Sequence, residues 1–236
     1  MKIAKSAELF GFTLGFVIAW TACHVHLAEP RKPVTLRALY GLQPPKRLRA
    51  LQTALVLVDF QDEFVAGRLP LPEANVAIQH ARDLADWAHH AGIWLVMVKN
   101  VSARPKSPIF AADSKTSAFL PALVPRAGDF VLQKSMASAF TQTSFDADLH
   151  AHHIDTLIVG GFMTHLAVAT TASDATMLGY HVVVAADATA TRDLPGAGNQ
   201  AAIDADSLQR AALDSLADRV ADVMLAREIM ALPVSR

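Results

Sequence analysis

The sequence predicts an α/β fold, a three-layer α/β/α sandwich built on a mostly parallel six-stranded sheet. Short apolar runs of strand length alternate with stretches of helical spacing, and parallel strands need such helix-length crossovers. The runs at 54–58, 93–98 and 157–159 are apolar without interruption, as in strands covered on both faces. The chain has 236 residues, 52% hydrophobic and 18% charged, enough to bury one large core.

Taken in order, the chain opens with Lys2 and Lys5 and a nearly uncharged run from Leu9 to Ala22. A membrane span needs about 20 residues, so the run is short for one and reads as the apolar part of a signal peptide. Trp20-Thr21-Ala22-Cys23 is a partial lipoprotein box. The alternative is a mis-assigned start, with Val34 as the true first residue. Residues 1–33 are therefore a leader, 34–52 a Pro- and Arg-containing connector, and 53–236 the main domain. The expected location is the cytoplasm, or outside it or on a membrane if residues 1–27 are retained.

Ala54 to Val58 is the first strand, ending on Asp59. Pro72-Glu73-Ala74 begins a helix whose apolar side is Val76, Ile78, Ala81, Leu84, Ala85 and Ala88, stopped by Gly92. Ile93 to Val98 is the second strand. Asn100 to Ser117 is a long polar loop of the kind that lines sites. Asp129 to Gln133 runs as a third strand into Lys134, and Phe145 to His153 is a short helix. Thr156 to Gly160 is the fourth strand, followed by a helix over 165–178. His181 to Ala186 is the fifth, Ser207 to Leu216 a helix, and Arg219 to Val223 a short sixth strand.

Charge and cysteine content exclude several function classes. The formal net charge is −1 and the basic residues are scattered, which gives no footprint for nucleic acid. Cys23 is the single cysteine, so neither an intrachain disulfide framework nor a cysteine-built zinc site is possible. His89, His90, His150, His152 and His153 fall at helix ends and read as solvated. No metal, no cofactor and no glycine-rich phosphate loop is expected; the partner is a small-molecule substrate.

Three strand ends carry the candidate chemistry, because ligands of open parallel sheets sit at the C-terminal ends of the strands. Asp59, walled by apolar neighbours, should have a raised pKa and exchange protons; its bland alternative is a turn cap. Lys134 beside it would hold that carboxylate charged and stabilise a negative intermediate, unless it is a snorkelling surface lysine. The sharp turn after Gly160-Gly161 aims N–H groups and a helix's positive end at one point, suited to a developing oxyanion. Gln61 is expected to hold the adjoining loop by hydrogen bonds. Asp62 and Glu63 are read as surface charges.

GGFMTHLAVATTASDA at 160–175 resembles the nucleophile turn G-x-x-T-x-x-C-V-x-x-T-x-x-x-A of the isochorismatase-like cysteine hydrolases. DFQDEF is similar to that family's D-x-Q-x-x-F/Y, and LQKSMASAF to its K-x-x-x-[SN]-x-F, with Ser138 and Phe140 in place. Thr35 to Leu42 is similar to the opening segment of one bacterial subgroup. The resemblance implies a Rossmann-like sheet and an Asp–Lys–Cys triad of Asp59, Lys134 and position 167. Here position 167 is alanine, which offers no nucleophile. It further implies a cis peptide between Phe162 and Met163, and an oxyanion hole from the N–H groups of Met163 and residue 167. Thr164 would tie the turn by its hydroxyl, His165 would be a structural or rim residue, and Phe140 a pocket wall. A homo-oligomer is implied as well. Three functions stay open: an amide or carbamoyl C–N hydrolase scaffold lacking its cysteine, a vinyl-ether hydrolase using Asp59 as acid, and a non-catalytic binding protein.

Overall fold

Strand β2 (Thr53–Val58) is buried at every position because it lies in the middle of the sheet. The structure, a computed structural model, describes residues 32–236; the leader expected over 1–31 lies outside them. Residues 34–236 form one compact unit, so the segment 34–52 packs with the rest. That segment holds a single helical turn, α1 (Leu36–Leu39), capped by the Thr35 hydroxyl, and a two-residue strand, β1 (Leu48–Arg49).

After β2 come α2 (Ala74–Ala91), closed by Gly92 at φ 71°, then β3 (Trp94–Asn100) and β4 (Phe130–Lys134). Helix α3 (Phe145–Ala151) leads to β5 (Thr156–Phe162). A π-helical turn over Thr164–Val168 precedes α4 (Ala169–Met177). Then follow β6 (His181–Ala190) and α5 (Ala205–Ser215), which the Asp204 side chain caps. A second π turn (Leu216–Val220), β7 (Asp222–Met224), α6 (Ala226–Met230) and β8 (Val234–Ser235) complete the chain.

The main sheet has the order β4-β3-β2-β5-β6-β7, and all its pairings are parallel. The chain builds outward from β2 to β4, then returns to the other side of β2 and builds outward again. The order therefore reverses between β2 and β5, and a crevice opens beyond their C-terminal ends. Side chains alternate along β2: Leu55 and Leu57 enter one apolar layer with Leu84 and Ile229, while Ala54, Val56 and Val58 enter another with Phe145 and Ala172. These are the helical layers on the two faces of the sandwich.

Several boundaries differ from the sequence expectation. The helix predicted over 165–178 is α-helical only from Ala169, because a wider turn fills 164–168. The fifth strand runs four residues further, to Ala190. A register shift after Val159 lets Gly161 and Phe162 pair with Thr189 and Ala190, an interaction with no local signal. The sixth strand lies at 222–224 rather than 219–223, since residues 216–220 extend the preceding helix as a π turn. The β1–β8 pairing, Leu48 with Val234, joins segments far apart in sequence and was not anticipated.

Candidate active site

Val58 ends β2, and Asp59 turns away with φ 57°, a left-handed conformation that costs a non-glycine residue about 1 kcal/mol or more. Its N–H donates to Val98 O at 3.0 Å, which keeps the residue against β3. Asp59 as a residue is 3% exposed. Lys134 Nζ, equally buried, donates to Asp59 Oδ2 at 2.6 Å and to Met136 O at 3.1 Å. Asp59 Oδ1 has no hydrogen-bond partner among the described residues. Burial drives the Asp59 carboxyl upward, and the Lys134 charge and hydrogen bond pull it back; the balance is a pKa raised from 3.8 to about 6.

Gln61 is fully buried and satisfied at three points. Its Nε2 donates to Asn100 O (2.9 Å) and Ser117 O (2.7 Å), and its Oε1 accepts the Asn100 N–H (2.8 Å). It thus ties the end of β3 to the loop over 115–117. Glu63, read from the sequence as a surface charge, is 2% exposed. Its two oxygens accept the Arg68 N–H (2.7 Å) and the Thr116 hydroxyl (2.6 Å), because the turn after β2 folds inward onto that same loop.

Across the crevice, Gly161 (φ 144°) brings β5 hard against β2. A Cβ there would lie 2.2 Å from Val58 O, so only glycine permits the approach. The Phe162–Met163 peptide bond is cis. The following turn is held by the Leu166 and Val168 N–H groups, both donating to Met163 O (3.0 and 3.2 Å). Thr164, expected to tie the turn by its hydroxyl, is fully buried and that hydroxyl has no partner; main-chain bonds do the holding instead.

Asp59, Lys134, Met163 and Ala167 line one cavity of about 220 Å³ at the C-terminal rim. Its walls are Phe64, Leu69, Ile109, Phe110 and Phe162. Phe162 is braced by Phe60 and Phe64, with ring centroids at 4.6 and 5.5 Å. Asn100, the last residue of β3, lines it too, and the loop that follows supplies Ile109 and Phe110, as its reading as a site-lining segment expected. Which of its residues face inward was not legible, since the loop has no periodicity.

Of the expected pocket residues, Gln61, Thr164, His165 and Phe140 do not line this cavity. His165 turns away from the cavity and contacts the Thr191 hydroxyl; burial and the nearby Arg192 charge hold its pKa below the usual histidine value. Phe140, expected as a pocket wall, packs on Phe145 and Tyr180 (centroids 4.9 and 6.1 Å), because β4 ends before it and the chain has crossed to the other face. Asp187 accepts the Ala226 N–H at 2.7 Å and so caps α6. His89, read as solvated, pairs with Asp129 at 2.7 Å in a groove at the opposite rim. Among the described residues no group of three or more His, Cys, Asp or Glu is placed to hold a metal. No helix among them is long and apolar enough to cross a membrane.

A single open sheet with its cavity at the switch point, one buried carboxylate and one buried ammonium defines a class of α/β proteins with small-molecule sites. The chain belongs to the Isochorismatase domain family, whose model matches residues 53–228. It is 26% identical over 195 residues to the secreted isochorismatase effector Isc1 of Verticillium dahliae, covering 83% of this chain and 98% of that one. It is 31% identical over 147 residues to a maleamate amidohydrolase of Pseudomonas putida, covering 56% of this chain and 68% of the relative. A crystal structure of a cysteine hydrolase from Pseudomonas syringae pv. phaseolicola superposes with a TM-score of 0.76 at 25% identity, covering 85% and 97% of the two chains.

Proposed function

We propose that this chain is the scaffold of a cysteine hydrolase for the C–N bond of a small amide or carbamoyl compound, with Ala167 standing where the nucleophile belongs. The observation that carries the reading is the state of Asp59. One oxygen is held by Lys134, while the other is buried and unpartnered in the cavity that Ala167 lines. A buried acceptor without a donor is costly, so a proton donor is the natural complement of that oxygen. The resemblance of the 160–175 turn to the family's nucleophile turn implies that the donor in intact relatives is a thiol at the position of residue 167. The amidohydrolase among the relatives supports a C–N bond as the target.

With cysteine at 167 the chemistry follows. Asp59 Oδ1 takes the thiol proton, the sulfur attacks the carbonyl carbon, and the C=O electron pair moves onto oxygen. The N–H groups of Met163 and residue 167 receive that oxyanion. Collapse of the intermediate breaks the C–N bond, and Asp59 returns its proton to the departing nitrogen. Water then attacks the thioester, giving its proton to Asp59, and the thiolate leaves. Lys134 keeps the carboxylate competent as an acceptor throughout. As written, the chain stops at binding. Ala167→Cys should therefore gain amide hydrolysis; an intact fold with no turnover on a broad amide panel refutes the reading.

The second reading, a vinyl-ether hydrolase with Asp59 as acid, is favoured by one observation. A carboxyl whose pKa is near 6 carries a proton in mildly acidic solution. Isochorismate turnover by the chain as written, abolished by Asp59→Asn, would establish it over the first.

A further inference from the structure

The segment from Lys32 to Arg47 runs over the surface of the domain, and none of its residues is buried. Five of the fourteen exposed large apolar side chains among the described residues fall within residues 34–42: Val34, Leu36, Leu39, Tyr40 and Leu42. Leu36, Leu39 and Tyr40 are spaced i, i+3 and i+4 along α1 and its C-cap, so they share one side of that turn. Polar groups fasten the turn to the domain instead. Arg37 pairs with Asp222, the Leu36 N–H donates to Asp218, and the Arg219 guanidinium lies 5.2 Å over the Tyr40 ring. Leu39 and Tyr40 nevertheless stay 71% and 68% exposed. Apolar surface gathered in this way marks a contact site.

Charge and position along the chain identify what covers it. From Cys23 to Val58 the sequence carries six basic residues and one acidic residue, Glu29. Arg37 and Arg49 are committed to Asp222 and Asp155. Lys32, Lys46 and Arg47 are exposed, with no ion-pair partner among the described residues. Eleven residues separate Val34 from the apolar run Leu9–Ala22. An anionic lipid surface suits both features: leucine and tyrosine side chains settle at the headgroup level, and lysine and arginine beside them are drawn to the lipid charge. A short apolar segment binds a bilayer weakly by itself, so a second signal close by in the chain reinforces it. A second copy of the chain fits less well, because a two-fold contact would bring the same cations face to face.

We propose that residues 32–47 form a contact surface for an anionic lipid bilayer, with Leu36, Leu39 and Tyr40 entering the headgroup layer and Lys32, Lys46 and Arg47 meeting the lipid charge. The test is co-sedimentation of the full chain with vesicles of phosphatidylglycerol and phosphatidylcholine in equal parts. Affinity should exceed that for pure phosphatidylcholine vesicles by about tenfold or more, and fall as salt is added. Leu39→Glu/Tyr40→Glu and Lys46→Glu/Arg47→Glu should each weaken it by about tenfold or more, with the urea midpoint of the domain unchanged. Hydrogen exchange in the unaltered chain, which decides the matter if a variant fails to fold, should slow across 34–42 when the anionic vesicles are added. Undiminished binding by either double variant assigns the membrane contact to other residues and overturns the proposal. So do equal affinity for the two kinds of vesicle, no binding by the folded chain, and unchanged exchange at 34–42 in the vesicle-bound chain. Protection of 34–42 before any vesicle is added would show a second copy or the leader seated there, and overturns it as well.

Discussion

Asp59 is held by constraints of three kinds at once: a left-handed backbone, a buried ion pair and an apolar surround. Removing one partner of a buried pair leaves an uncompensated charge, so the pair acts as a unit. In the Ala167→Cys background, Lys134→Met should cut kcat/KM by about a hundredfold or more, since the carboxylate would lose both its charge partner and its orientation. The pH profile of Ala167→Cys should show an acid limb near 6, because Asp59 must be ionised to accept the thiol proton and is raised to about 6. A limb near the ordinary carboxylate value of 3.8 would contradict that. Gly161→Ala tests the packing side of the site. With Val58 O at 2.2 Å from the new Cβ, the loss should exceed about 3 kcal/mol by urea unfolding. Gly160→Ala meets its nearest atom, Ala188 O, at 3.1 Å and should cost much less.

At the scale of elements, the site is an assembly of strand ends held together by buried polar side chains. Gln61 and Glu63 fasten the turn after β2 to the short 3-10 turn Lys115–Ser117, beside main-chain bonds from Asp62 N to Ala118 O and from Leu120 N to Phe60 O. Gln61→Ala strands the Asn100 N–H and carbonyl and the Ser117 carbonyl, for an expected loss of about 3 kcal/mol. Hydrogen exchange should rise at Asn100 and across 115–118; unchanged protection there would show that the loop is held by other contacts. The α1 turn is anchored differently. Arg37 and Asp222 form an ion pair at 2.6 Å with both side chains nearly buried, and Leu36 N–H donates to Asp218 at 2.9 Å.

For the whole molecule, two carboxylates bend the pH dependence of stability in opposite directions. Burial alone would raise Asp222, but contacts from His181 and the Arg37 charge outweigh it and hold its pKa low. Its stabilisation is full above the ordinary carboxylate value and lost as pH falls through the lower folded value. Asp59 is raised, so its folded form binds the proton more tightly than the unfolded chain does. Its cost is absent below about 4 and complete above about 6, and stability falls as pH climbs between them. The double variant Asp59→Asn/Lys134→Met lacks that titration. Urea unfolding should show the original chain losing stability relative to the double variant from pH 4 to 6, and a flat difference would contradict the raised value.

The alternation of apolar runs with helical segments is set by local periodicity, so the sequence by itself determined the sandwich and the strand ends that hold Asp59 and Lys134. The turn at 161–167 was legible for the same reason, since glycines and a change of period mark it. Contacts between distant segments left no such mark. The pairing of Leu48 with Val234, the extension of β6 to Ala190, the inward turn of Glu63 and the exclusion of Phe140 from the cavity all depend on partners far along the chain. Tertiary structure alone decided which residues of 100–117 line the cavity, namely Asn100, Ile109 and Phe110, because a segment without periodicity shows no inward side until distant partners such as the buried Gln61 fix its course.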